Sequence, residues 1–215
     1  MSRRRRPVVL DLMCGAGGAG MGYYRAGFDV IGVDKVFQPH YPFTFRQADA
    51  FKALPRLVRG NRVAVVHASP PCEYYTYMSA CRPGLAAKYP DYIPVLREWL
   101  EHIGLPYVIE NVVGAPLRKP ILLCGASFGY RIYRHRLFES NVDIPAPHHR
   151  RHRRATSAAG HYKPRTIMSV AGHIAPISLA REIMDIDWMT REELRKAIQP
   201  YYTEYIGRHL IKALR

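Results

Sequence analysis

Cys72 follows the apolar run 63–68 through Ser69, Pro70 and Pro71, and Glu110 closes the run Tyr107-Val108-Ile109, just ahead of Asn111 and Val112. A thiol and a carboxylate, each delivered at the end of a strand-like run, can attack and protonate a pyrimidine ring from two sides. Covalent addition to such a ring needs a soft, strong nucleophile, and a cysteine thiolate is the natural one. The addition pushes charge onto a ring nitrogen, so a proton donor there lowers the barrier; a carboxyl serves if burial raises its pKa. Pro70 and Pro71 stiffen the backbone that carries the thiol. Each residue also has a plainer reading. A cysteine after a strand is more often a buried structural thiol, and a strand-end glutamate is more often a cap.

A second constellation lies upstream, in Asp11-Leu12-Met13-Cys14-Gly15-Ala16-Gly17-Gly18. A strand, a glycine-rich turn and a helix in that order expose backbone N–H groups to a ligand. Alone, this pattern fits any nucleotide-type cofactor or a purely structural turn. Asp34, ending Ile31-Gly32-Val33, has the place of the second-strand acid that accepts two ribose hydroxyls. Asp49 could take an adenine amino group; both acids could equally be turn or cap residues. Arg134 and Arg136 flank His135 in the run 132–139. On a strand, alternate residues share a face, so two guanidinium groups could converge on one site; a solvated basic face is the alternative.

The order of these features resembles the DNA (cytosine-5)-methyltransferases over nearly the whole chain. The compact members of phages and actinobacteria, with the target-recognition domain cut to a stub, resemble it most. The resemblance implies Cys72 as nucleophile at cytosine carbon 6, with Glu110 at nitrogen 3. Asn111 would shape the turn, Arg136 would hold the carbonyl oxygen, and Arg134 would support the pocket. It implies an S-adenosyl-L-methionine site made by Asp11, Met13, Cys14, Gly15, Ala16, Gly17, Gly18, Asp34, Lys35, Asp49, Ala50, Pro70 and Pro71. Met13 stands where the family usually has a Phe packed on adenine; its thioether can still pack on an aromatic face. The segment Tyr202-Thr203-Glu204-Tyr205-Ile206-Gly207-Arg208 is similar to the motif that closes the cofactor pocket, with Arg208 in place of the usual Asn. Arg208 pointing to solvent is the plain reading. The sharper one is recognition of a carboxylated analogue, carboxy-S-adenosyl-L-methionine, which would make the transferred group carboxymethyl.

These residues need a scaffold. In 215 residues there is room for one α/β domain with a full core. Short β-branched runs alternate with helical patterns, which predicts an α/β fold with a doubly wound, mostly parallel sheet. Strands are expected at 8–11, 30–33, 63–68, 107–110, 121–124 and 132–139, and helices at 19–26, 91–102 and 201–214. A further helix should start at Thr190, which has capping-box spacing to Glu193. Residues 1–139 are expected to form the catalytic and cofactor-binding core, 140–165 a reduced basic target-recognition segment, and 166–215 the remainder of the core.

The formal net charge is +15, which favours a polyanionic partner, nucleic acid first. Tyr74, Tyr75, Arg82 and Lys88, in a loop after Cys72, are expected to meet double-stranded DNA. Arg150, Arg151, Arg153, Arg154, Lys163 and Arg165 are expected to meet its phosphates. Four cysteines without CxxC spacing indicate neither a disulfide framework nor a zinc ribbon. His148, His149, His152 and His161 have no nearby cysteine or acidic partner in sequence, so no metal ligand is expected. No run suits a signal peptide or a membrane span, and a cytoplasmic monomer without an obligate protein partner is expected. Two other functions compete: an RNA cytosine methyltransferase, and a non-catalytic nucleic-acid-binding protein on a decayed methyltransferase fold.

Overall fold

The structure, a computed structural model, describes residues 5–75, 88–149, 151–157 and 161–215. Arg82 and Arg150, both expected to contact DNA, lie outside the described residues. Seven strands form one sheet: β1 (Val8–Leu12), β2 (Asp29–Asp34), β3 (Thr44–Gln47), β4 (Val63–Ala68), β5 (Tyr107–Asn111), β6 (Ile121–Leu123) and β7 (Arg136–Ser140), in the order β3-β2-β1-β4-β5-β7-β6. All pairs from β3 to β5 are parallel, while β7 runs antiparallel to both β5 and β6. The doubly wound sheet expected from the alternation is therefore present.

Among the described residues, six α-helices accompany the sheet: α1 (Gly18–Ala26), α2 (Ala50–Gly60), α3 (Ile93–Ile103), α4 (Ile177–Met184), α5 (Arg191–Lys196) and α6 (Pro200–Ala213). Tyr23, Phe28, Tyr202, Ile206 and Leu210 fill one face of the sheet, and Leu54, Leu96, Leu100 and Ile109 fill the other. A third cluster joins Ile132, Met168, Val170 and Ile174 to Met184, Met189 and Leu194. Thr190 caps α5 with its side chain on the Glu193 amide, and Glu193 returns the bond, as the spacing predicts. β3, α2 and α4 have no counterpart among the expected elements. Pro55 lies inside α2, and an interior proline reads as a helix breaker.

α1 and α6 pack unusually closely, for a reason visible in the glycines. A Cβ on Gly22 would fall 2.0 Å from the Pro200 carbonyl oxygen, and one on Gly207 would fall 2.6 Å from Ala26 Cβ. Thr203 Oγ1 donates to the Ala19 carbonyl across the same contact, at 2.8 Å.

The sheet order reverses between β1 and β4. In open α/β sheets, ligands bind outside the carboxyl ends of the strands at such a switch point. There Asp34 ends β2, Pro70-Pro71-Cys72 follow β4, and Glu110 and Asn111 end β5. Among the described residues, no helix is long and apolar enough to cross a membrane.

Candidate active site

A cleft of about 510 Å³ opens at that switch point, within the range typical of small-molecule sites. Its walls include Met13, Cys14, Gly15, Ala16, Gly18, Asp34, Lys35, Asp49, Ala50, Pro70, Pro71, Cys72, Glu110 and Arg136. The fold thus brings most of the expected cofactor and reaction residues to one cavity.

At the cofactor end, Asp34 holds the turn. Its Oδ2 accepts from Gly15 N at 3.0 Å and its Oδ1 from Val36 N at 2.9 Å. Each oxygen keeps a further lone pair. Gly15 has φ +48, and nothing lies within 4 Å of where its Cβ would sit, so its surface faces open space. An acid with spare acceptor capacity beside a bare glycine backbone suits a ribose, and the residues fit S-adenosylmethionine on that chemistry. Asp49 is also the N-cap of α2, accepting from Lys52 N at 3.1 Å through Oδ1; the cap and ligand readings of this acid are compatible.

Asp11, Gly17 and Arg208 are corrections. Asp11 is fully buried beneath α1, where it accepts from the Tyr41 hydroxyl at 3.1 Å. Leu12 and Met13 carry the chain past it before the turn begins, so it does not line the cleft. Burial pushes its carboxyl up to about 8, against the pull of the Tyr41 hydrogen bond. Gly17 has φ +87 and packs against Pro42 and Tyr41, shaping the turn from behind. Arg208 follows Gly207 by one residue, about 100° around the helix. Gly207 faces α1, and Arg208 is exposed and ion-paired with Glu204. It is no part of the cleft wall, and its proposed recognition of a carboxylated cofactor has no structural basis.

At the reaction end, Asn111 is the hinge between the two chemical strand ends. Its Nδ2 donates to the Pro70 carbonyl at 3.0 Å, and its Oδ1 accepts from Val112 N at 2.9 Å. Cys72 is half-buried; burial and then Glu73 push its thiol pKa up, while Arg136 opposes them. Glu110 is buried, and Arg136 Nε lies 3.0 Å from its Oε1. Burial pushes the Glu110 carboxyl up; Arg136 and then the Ser69 hydroxyl hold it back.

A row of groups behind Glu110 is not foreshadowed by the motifs. The Tyr23 hydroxyl lies 3.0 Å from His67 Nδ1, and His67 Nε2 lies 2.9 Å from Ser69 Oγ. The Ser69 hydroxyl in turn acts on Glu110, holding its carboxyl pKa down against burial. Burial pulls His67 down to about 3, so the ring is neutral at physiological pH. The available signal is the stretch His67-Ala68-Ser69 immediately ahead of Pro70.

The paired arginines do not act as a pair. The run 132–139 becomes strand only from Arg136, and Arg134 has φ +23. Its guanidinium donates to the carbonyls of Val170 at 2.8 Å, Arg195 at 2.6 Å and Ala197 at 3.1 Å. Arg134 is a clamp on the chain around α5, and Arg136 alone faces the cleft.

Of the residues expected to meet DNA, Lys88, Arg151, Arg153, Arg154, Lys163 and Arg165 are exposed. Tyr74 and Tyr75 lie in one turn of 3-10 helix after Cys72, with the Tyr75 hydroxyl donating to Asp91. The basic-segment histidines have no cysteine near them in sequence, but the fold supplies one in space. Cys124 Sγ is 3.4 Å from His152 Nε2.

No family model and no curated protein matches the chain. Solved structures do match it in fold. An E. coli prophage protein assigned as a DNA modification methyltransferase superposes with TM-score 0.67 at 14% identity, over 97% of this chain and 99% of its own. The Entamoeba histolytica methyltransferase EhMeth gives TM-score 0.63 at 12% identity, over 99% of this chain and 100% of its own. The S. pombe Dnmt2 methyltransferase gives TM-score 0.62 at 12% identity, over 98% and 100%. At such identities the likeness is one of fold. The chain has the Rossmann-like α/β fold of methyltransferases, with its seven-stranded, mostly parallel sheet and flanking helices.

Proposed function

We propose that this protein is an S-adenosylmethionine-dependent cytosine-5 methyltransferase acting on DNA. The observation that carries the reading is the single cleft shared by Cys72, Glu110 and Arg136 at one end and Asp34 and Gly15 at the other. S-adenosylmethionine, when bound, supplies an electrophilic methyl group.

The chain's own residues prepare the acceptor. The target base leaves the duplex stack, at a cost of roughly a few kcal/mol. Cys72 forms a sulfur–carbon bond at carbon 6, and the displaced electron pair makes carbon 5 nucleophilic. Glu110 supports ring nitrogen 3 with a hydrogen bond or proton, and Arg136 keeps its carboxyl oriented. Arg136 also has N–H groups free to meet the ring carbonyl oxygen. Once carbon 5 is substituted, its proton departs and the Cys72–carbon 6 bond breaks, restoring the ring. The +15 charge and the exposed arginines of the basic segment favour a polyanionic substrate.

The experiment is mass spectrometry of nucleosides from duplex DNA and from tRNA, each incubated with protein and S-adenosylmethionine. 5-Methylcytosine in DNA is the expected product, and Cys72→Ser should abolish it while retaining DNA binding. Modification of tRNA alone would overturn the DNA assignment, and near wild-type turnover by Cys72→Ser would overturn the mechanism.

A further inference from the structure

Cys124, His135, His149 and His152 come from three separate stretches of chain and meet at one point. Cys124 follows β6, His135 precedes β7, and His149 and His152 lie in the basic segment after β7. One potential ligand atom from each lies within 4.8 Å of all the others. His149 Nε2 is 3.2 Å from His135 Nε2 and 3.1 Å from His152 Nε2, and Cys124 Sγ is 3.4 Å from His152 Nε2.

Hydrogen bonding does not account for this cluster. A ring nitrogen of a neutral imidazole carries either one proton or one lone pair, so His149 Nε2 can satisfy only one of its two nitrogen neighbours. A central cation satisfies all of them. Around tetrahedral zinc, bonds of about 2.0–2.1 Å to nitrogen and about 2.3 Å to sulfur place nitrogens about 3.3 Å apart and sulfur about 3.6 Å from nitrogen. The three short contacts are close to those edges.

Packing also holds the histidines in place. The Tyr133 ring stacks on His152 with centroids 3.5 Å apart and planes 4° from parallel. The Tyr133 hydroxyl donates to Arg154 O at 2.9 Å and accepts from Arg154 N at 3.2 Å. Cys124 is fully buried, whereas His149 is exposed, so an ion can enter from the His149 side.

We propose that Cys124, His135, His149 and His152 form a structural zinc site that staples the basic segment to the sheet beside the active site. Four protein ligands leave no open position, which is the mark of a structural and not a catalytic centre. His135 lies between Arg134 and Arg136, so the ion fixes the backbone from which Arg136 reaches Glu110. His149 and His152 fix the stretch bearing Arg151, Arg153 and Arg154.

The test uses the full chain without an affinity tag. Elemental analysis of the purified protein should find about one zinc per chain, and His149→Gln and Cys124→Ser should each lower that severalfold. His149 is exposed, so its variant should keep the wild-type circular dichroism even if Cys124→Ser does not fold. Reconstitution with cobalt(II) should give tetrahedral d–d absorption and a thiolate charge-transfer band, present in Cys72→Ser and absent in Cys124→Ser. Two results would each overturn the proposal. One is a wild-type protein that holds no zinc and gives no such cobalt spectrum. The other is full zinc retention in His149→Gln.

Discussion

Asn111 Nδ2 donates to the carbonyl of Pro70 across 3.0 Å. That bond joins the end of β5 to the turn after β4, and so fixes the Cys72 backbone relative to the Glu110 side chain. Asn111 is almost wholly buried, so the Pro70 oxygen has little prospect of a substitute partner in water.

Asn111→Ala should therefore cost stability and turnover together. An unsatisfied buried carbonyl is worth about 1–3 kcal/mol, readable as a lower denaturation midpoint. kcat should fall while the affinity for S-adenosylmethionine, which the proposed function puts at the Asp34 end, changes little. A variant with normal kcat would show that the bond serves folding alone.

Asp11 makes stability depend on pH in a particular direction. Its folded pKa, raised from 3.8 to about 8 chiefly by burial, means the native state keeps a proton that the unfolded chain releases above about pH 4. Its contribution is fully present below the unfolded value and is lost as pH rises through the folded one. Asp11→Asn removes that dependence. Melting curves should show the variant gaining on wild type between about pH 4 and pH 8 and holding its lead above. Parallel melting profiles would mean that Asp11 is ionised in the fold.

Arg97 and Glu139 form a buried, two-pronged ion pair, with Nε to Oε1 and Nη2 to Oε2 both 2.7 Å. Glu139 also accepts from the Arg118 amide at 2.6 Å. Glu139→Ala should destabilise by about 3–5 kcal/mol, because it strands a buried guanidinium. Adding Arg97→Met should recover part of that loss in a double-mutant cycle. Additive losses would mean that the two residues act separately.

Neutralising Arg151, Arg153 and Arg154 should weaken binding to duplexes of every sequence. The slope of log affinity against log salt should fall by about one for each phosphate that no longer meets an arginine. An unchanged slope would place the DNA path elsewhere on the surface.

Much of this is legible in the chain. β1, β2, β4 and β5 are β-branched runs closed by turn residues, and their ends meet at the cleft, so finding the runs locates Asp34, Cys72 and Glu110. The failures share a cause, which is dependence on distant residues. Alternation suggests that Arg134 belongs to a strand, but the carbonyls of Val170, Arg195 and Ala197 hold it out of one. Arg208 escapes a sequence reading because the packing of Gly207 on α1 decides which way its neighbour points. Cys124 and His152, 28 residues apart, have no short spacing to announce them.

The glycine-lined contact between α1 and α6 sets an order of assembly. Ala19 and Thr203, bonded across it, stand 184 residues apart, and non-local contacts form late because closing long loops costs entropy first. As the ribosome delivers the chain, the glycine-rich turn and α1 emerge long before α6, and they lack their covering helix until residues beyond 207 appear. The glycine-rich end of the cleft is thus encoded by one stretch of chain and braced by another that follows 184 residues later. A nascent chain cannot brace that end of the cleft before α6 has been made.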